Sequence, residues 1–363
     1  MSGRITVLIM AGGTGGHIFP AMSIAEKLRV MGVHVEWLGS TAGLEVQILG
    51  KTSIPLHLIA ARGLRGKGFR RLVAAPLMIL QATLQALKII KEVDPDCVLG
   101  MGGFVTGPGG VAARLRRKKL LIHEQNAVPG ITNKLLALLA DRILQAFPGT
   151  FPHRTNVQTV GNPVRRAIAD IAMLREFNLA GPLRLLVLGG SQGALAINEV
   201  VPGSLSDWPT ELMPHVIHQT GRNKLVATTE CYERHGLKVG NEIRVVEFID
   251  DMAEAYQWAD LVICRSGAST VAELAATGLP SLLVPYPYHR DQQQLKNARW
   301  LADGGAATII EQKYLKVERI RDEILALVND RKRLRAMSEA ARAIAILDAD
   351  ARIGEICLET AHG

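Results

Sequence analysis

Residues 11–17 read Ala-Gly-Gly-Thr-Gly-Gly-His, and the glycines Gly12, Gly13, Gly15 and Gly16 are more than a tight turn needs. Glycine lets backbone approach a ligand closely, and a turn that opens a helix offers unpaired N–H groups to an anion or polar substrate. His17 stands beside them with a side chain that ordinarily titrates near neutral pH, which suits a proton acceptor. The stretch Gly189-Gly190-Ser191-Gln192-Gly193-Ala194 repeats the glycine-rich chemistry without the histidine. A third stretch, Arg265-Ser266-Gly267-Ala268-Ser269-Thr270-Val271-Ala272-Glu273, brings small residues and hydroxyls, then a carboxylate about one turn into a helix. Glu273 can accept bonds from the two hydroxyls of a ribose, or Thr270 and Glu273 can close a capping box; the local sequence fits both.

Other nucleotide chemistries fit less well. In Gly13-Thr14-Gly15-Gly16-His17-Ile18 an isoleucine stands where a dinucleotide fingerprint wants its third small residue, and Val33–Leu38 ends in Gly39-Ser40 without the ribose-binding acid. The second glycine loop lacks that fingerprint too, and no Gly-Lys-Ser/Thr element marks a Walker-type NTPase. No Asp-x-Asp pair lies in a suitable loop and no histidine–carboxylate cluster has ligand spacing, so no metal site and no required cofactor are expected. Stimulation by a divalent cation stays open.

The elements that must position these residues are parallel βαβ units, because short apolar runs ending in glycine alternate with amphipathic stretches. Ile5–Met10, Val33–Leu38 and Cys97–Leu99 are predicted strands of a first series, with a helix over Ala21–Met31. Arg184–Leu188, His215–His218, Ile243–Val246, Leu261–Cys264 and Ser281–Val284 form a second series. Two such series predict an α/β protein of two Rossmann-like parallel-sheet domains, joined near Val160–Arg165 where glycine and proline interrupt both patterns. A polar helix is expected over Val317–Ala345 and a separate last one over Asp348–Thr360.

The chain's 363 residues exceed what one core usually fills, and 48% apolar with 21% charged residues excludes disorder. A net charge of +8 points to an acidic partner: phosphate substrate, anionic lipid or nucleic acid. With aromatics at 4% and no basic-aromatic interleaving, single-stranded nucleic acid fits worst. Cys97, Cys231, Cys264 and Cys357 are scattered and read as buried thiols of a reducing compartment. Arg4–Met10 is too short for a signal segment, and Leu72–Ile90 is interrupted by Pro76, Gln81, Thr83, Gln85 and Lys88, so it can lie on a bilayer but not cross one.

Taken together, Gly12–His17, Gly100–Gly110, His123-Glu124-Gln125-Asn126, Gly161-Asn162-Pro163-Val164-Arg165, Gly189–Ala194 and Cys264–Ala268 resemble, in order, the motifs of the MurG glycosyltransferase family, whose members convert lipid I to lipid II. The resemblance spans nearly the whole chain. It implies a GT-B architecture, two Rossmann-like domains facing a cleft: residues 1–162 for acceptor and membrane, 163–345 for UDP-N-acetylglucosamine, and a C-terminal helix over 346–363 returning to the first domain. It implies donor contacts at Arg165, Ser191, Ile249, Ala268, Ser269, Thr270, Val271, Ala272 and Glu273. Across the cleft it adds Thr14, Gly15, Gly16 and Asn126, and at the sugar Gln294, with Gln293 beside it. Phe104 stands where some relatives carry tyrosine, and Tyr286-Pro287-Tyr288 is a slightly altered approach to Gln294.

The reaction implied is inverting transfer of N-acetylglucosamine to the C4 hydroxyl of the N-acetylmuramyl sugar of lipid I, a step of peptidoglycan synthesis and so of cell shape and division. A single displacement needs one base. His17 is the leading candidate and Glu124 the second. The expected place is peripheral, on the cytoplasmic face of the plasma (inner) membrane. Lys67, Arg70 and Arg71 lead into Leu72, Val73, Leu77, Met78 and Leu80, and Arg114 with Arg116–Lys119 adds a second basic cluster, so an anionic membrane surface is an expected partner. The rival readings are a UDP-N-acetylglucosamine epimerase of the same architecture and a noncatalytic nucleotide-sugar-binding module.

Overall fold

In a parallel sheet covered on both faces, a strand reads as an unbroken apolar run. β1 (Thr6–Ala11) is such a run, with Val7 through Ala11 fully buried. The computed structural model describes residues 4–41, 43–61, 69–171, 181–190 and 192–362, with backbone alone for 69–74 and 210. Besides β1, the first sheet holds β2 (His34–Ser40), β3 (Leu56–Ile59), β4 (Cys97–Gly102), β5 (Lys119–Glu124), β6 (Arg142–Gln145) and β7 (Val157–Thr159), in the order β3-β2-β1-β4-β5-β6-β7. The second holds β8 (Arg184–Leu188), β9 (His215–Gln219), β10 (Ile243–Val246), β11 (Leu261–Cys264), β12 (Ser281–Leu283) and β13 (Ala307–Ile309), in the order β10-β9-β8-β11-β12-β13. All the strand pairs are parallel. Each order is doubly wound, reversing between β1 and β4 in one sheet and between β8 and β11 in the other, where such sheets bind ligands.

The chain divides into two compact units, one of residues through Arg165 with those from Leu347 onward, the other of residues 166–346. The divisions thus fall after Arg165 and Ile346 rather than after 162 and 345. In the first unit α1 (Gly15–Val30), α2 (Glu45–Leu49), α3 (Phe69–Val93), α4 (Thr106–Leu115) and α5 (Ile131–Leu136) connect the strands. The C-terminal helix Ala349–His362 also belongs there: Ile353, Ile356 and Cys357 share a core with Ile24, Ala25 and Leu28 of α1. The neighbouring Cys357 thiol and burial together push the Cys97 pKa well up. All four cysteines are free and buried.

Two elements differ from the periodicity. α1 starts at Gly15, inside the glycine loop, rather than at Ala21, because burial of Ile18, Ala21 and Ile24 outweighs the poor helix propensity of Gly15, Gly16 and Pro20. The polar helix over 317–345 is two helices, Val317–Asn329 and Arg331–Ile344, broken where the Asp330 side chain accepts from Arg333 N at 3.0 Å and caps the second.

Candidate functional site

In the first unit the site begins at the β1–β4 switch point. Thr14 is the N-cap of α1 in extended geometry, and its Oγ1 lies 3.5 Å from His17 Nδ1. The imidazole packs on Gly102, where an added Cβ would sit 2.7 Å from Cδ2, and a Cβ on the adjacent Gly103 would run into the Gly12 carbonyl. Gly102 and Gly103 have φ of +104° and +88°, so their missing side chains serve both backbone geometry and close approach. Pro20 has no N–H for the Gly16 carbonyl one turn back, so that oxygen lacks its intrahelical donor. Burial lowers the His17 pKa, outweighing the Glu124 charge and a backbone hydrogen bond at Gly12, both of which raise it. The ring is therefore neutral at neutral pH, the form that accepts a proton.

Glu124, the alternative base, is fully engaged. Its Oε1 accepts from Asn126 N at 3.1 Å and Asn126 Nδ2 at 3.2 Å, and its Oε2 from Gly130 N at 3.0 Å and Asn133 Nδ2 at 2.9 Å. These bonds shape the loop that carries Asn126 and occupy both carboxylate oxygens. Behind it, burial lowers the His123 pKa to about 4. Its Nε2 donates to Gly161 O at 2.9 Å while Nδ1 accepts from Gln125 Nε2 at 3.1 Å. Asn162 Nδ2 donates to Gln125 O at 2.8 Å, so two separated motifs form one buried network. Arg165 belongs to this unit rather than to the second; it is exposed, with its guanidinium 6.0 Å from the Phe19 ring centroid.

Sequence pattern gives no hint of Glu45. Fully buried at the start of α2, it accepts from Gly13 N at 3.1 Å, Ser40 N at 2.7 Å and Ser40 Oγ at 2.8 Å. A carboxylate thus holds the first glycine loop and uses one of its N–H groups.

The second unit repeats the architecture with opposite charge. Gly190, Gly193 and Gly221 have positive φ, and a Cβ on Gly193 would meet the Thr220 carbonyl, so two loops pack backbone to backbone. Lys224 Nζ donates to Gln192 O at 2.8 Å, placing an ammonium beside the loop that opens helix Leu195–Ser204. Ser191 lies outside the described residues.

The turn after β11 excludes one of the two Glu273 alternatives, the capping box. Helix Ala268–Thr277 begins after Gly267, which makes no side-chain cap, so Thr270 and Glu273 lie inside the helix and form no capping box. Glu273 Oε2 instead accepts from Tyr256 Oη at 3.0 Å. Ala268 and Val271 are buried, Val271 fully, so their side chains are closed to solvent, whereas Ser269, Thr270 and Ala272 are partly exposed. Ile249 is partly exposed in the segment after β10. Gln294 Oε1 accepts from Tyr286 N at 2.9 Å, which leaves its amide N–H groups to donate, and Ser266 Oγ donates to Gln294 O at 2.8 Å. Gln293 is beside it at the start of helix Gln293–Asp303. Arg265 donates to the carbonyls of Val284 and Pro285 and to Gln312 Oε1 at 2.7 Å, and so fixes the same segment.

The N-terminal domain of glycosyltransferase family 28 matches residues 7–145 and its C-terminal domain residues 184–353. The UDP-N-acetylglucosamine–N-acetylmuramyl-(pentapeptide) pyrophosphoryl-undecaprenol N-acetylglucosamine transferase of Nitrosococcus oceani is 48% identical over 361 residues, 99% of either chain. The Shewanella denitrificans enzyme of that name is 45% identical, over 98% of this chain and 97% of its own. The crystal structure of Acinetobacter baumannii MurG superposes with a TM-score of 0.82 at 38% identity, over 98% of this chain and 100% of that one. A UDP-GlcNAc 2-epimerase from Neisseria meningitidis reaches a TM-score of 0.69 at 12% identity, which is likeness of fold alone. With both domains matched and relatives aligned end to end, the chain belongs to glycosyltransferase family 28, among its MurG members.

Proposed function

We propose that this chain transfers N-acetylglucosamine from UDP-N-acetylglucosamine to the C4 hydroxyl of the N-acetylmuramyl sugar of lipid I, with inversion, to give lipid II. One observation carries the reading: identity near one half with transferases of that name, running through both units. The site chemistry supports it. His17, neutral and placed beside Thr14, takes the acceptor proton. In the donor site Glu273 binds ribose, Ile249 the uracil, and Gln294 donates to the sugar. The N-terminus of helix Leu195–Ser204, with Ser191 and Lys224, meets the diphosphate charge. Thr14, Gly15, Gly16, Asn126 and Arg165 complete the donor contacts. No cofactor is required in this scheme, and a stimulatory divalent cation is compatible with it. Incubation with labelled UDP-N-acetylglucosamine and lipid I should move label into lipid; sugar-nucleotide isomerisation without lipid would establish the epimerase, and binding without turnover the noncatalytic module.

A lipid-linked acceptor keeps its tail in the bilayer, so we place the first unit against an anionic membrane surface at its cytoplasmic face. Among the described residues no helix is long and apolar enough to cross a membrane. Leu77, Leu80 and Leu84 of α3, Leu115 of α4, and Ile131 and Leu135 of α5 are exposed, and the three helices are neighbours. Lys67 and the side chains of Arg70, Arg71, Leu72 and Val73 lie outside the described part, and Met78 is partly buried. In the second basic cluster Arg114 pairs with Asp141 at 3.7 Å and Lys118 with Asp94 at 2.6 Å, so exposed Arg116 and Arg117 form the rim. Each cation near an anionic surface contributes about 1 kcal/mol. Arg116→Glu with Arg117→Glu should therefore reduce co-sedimentation with anionic vesicles at least tenfold at low salt, while transfer to a short-chain soluble acceptor continues; unchanged sedimentation would exclude this rim.

A further inference from the structure

Tyr256 is 1% exposed, on helix Met252–Trp258, and a buried phenol needs a partner for its O–H. Phenylalanine would fill the same space without that demand. The partner is Glu273, whose Oε2 accepts from Tyr256 Oη at 3.0 Å. The backbone under Glu273 is also held: Thr277 Oγ1 donates to Glu273 O at 2.8 Å, and Gly278 ends the helix in left-handed geometry. A glutamate on a helix has three side-chain torsions to fix before it can meet two hydroxyls at once, and a bond to one carboxylate oxygen sets the plane of the other.

The helix that carries Tyr256 begins just after Ile249. Its N-cap is Asp251, whose Oδ1 accepts from Glu254 N at 3.0 Å, so the Ile249 segment leads directly into a rigid element. One short helix thus joins the segment assigned to the uracil to the carboxylate assigned to the ribose.

We infer that Tyr256 is a positioning residue for the nucleotide: its phenol orients the Glu273 carboxylate toward the ribose hydroxyls, and its helix links that carboxylate to the Ile249 segment. The inference rests on the reading of Glu273 as the ribose ligand. It extends nucleotide recognition to a residue that has no access to solvent and touches no substrate. A purely structural tyrosine would serve folding and leave discrimination at the ribose untouched.

Tyr256→Phe, which keeps the ring, separates the two. UDP and 2′-deoxy-UDP are titrated calorimetrically into wild type, Tyr256→Phe, Glu273→Gln and the double variant, and donor KM and kcat are measured with lipid I. The wild type should prefer UDP by tenfold or more. Tyr256→Phe should bind UDP roughly three- to tenfold more weakly, with a smaller change for 2′-deoxy-UDP, so that the preference shrinks. Its donor KM should rise in step while kcat at saturation stays within about twofold. In the Glu273→Gln background, Tyr256→Phe should add no further loss. A wild type that does not distinguish the two nucleotides overturns the assignment of Glu273 and this inference with it. A wild type that distinguishes them beside a Tyr256→Phe variant with the full preference overturns the inference alone.

Discussion

Replacing His17 with alanine is expected to lower kcat by roughly 10²- to 10⁴-fold, the range of a lost general base, with donor affinity little changed. The expectation follows from protonation state as well as position. Burial keeps the ring neutral, and the Glu124 carboxylate nearby works against that effect by raising the pKa. The acid limb of the kcat/KM profile should therefore lie below the usual histidine range, activity being lost as pH falls through the lowered pKa. Glu124→Gln removes the charge that raises the pKa, so its acid limb should move further down, where a base located at Glu124 would lose the limb altogether. His17→Ala retaining turnover within a few fold would move the proton acceptor elsewhere.

The second large effect is expected at Glu273. Loss of two charge-assisted bonds to ribose hydroxyls costs roughly 1.5–3 kcal/mol each, so Glu273→Ala should weaken UDP binding by about a hundredfold to ten-thousandfold. The same change leaves the buried Tyr256 phenol without this acceptor, at about 1–3 kcal/mol of stability. Glu273→Gln keeps an acceptor oxygen for the phenol and separates the two effects. Calorimetric titration of both folded variants, with thermal melts alongside, should show weak UDP binding in both but a lowered Tm mainly in the alanine variant. Wild-type UDP affinity in either would remove Glu273 from the ribose.

Much of this was legible because glycine loops, continuous apolar strands and a histidine beside a helix start are local signals. β8, β10 and β11 have the bounds their apolar runs predict, and β4 only runs further, into its glycines. Short β3, β7 and β13 escape because each has at most one buried residue and is interrupted by a polar one, His57, Gln158 and Thr308 respectively. Glu45 and Tyr256 escape for another reason. Each matters through a partner distant in sequence, Glu45 through Gly13 and Tyr256 through Glu273, and nothing in the adjoining residues announces the pairing. The capping box at Thr270 shows the converse error, since a correct spacing is empty when the helix has already begun at Ala268.

The C-terminal helix has a consequence for how the chain is made. Its Ile353, Ile356 and Cys357 belong to the same core as β1 and α1, yet the whole second unit is encoded between them. At ~5–20 residues per second a ribosome takes roughly 10–40 s to translate that interval. Throughout it, the nascent first unit lacks the helix that covers Ile24, Ala25 and Leu28, whereas the second unit, uninterrupted in sequence, can close as soon as it emerges. Vectorial synthesis therefore inverts the usual order: the half translated first is the half completed last, and the α1 face that the C-terminal helix covers stays open until then.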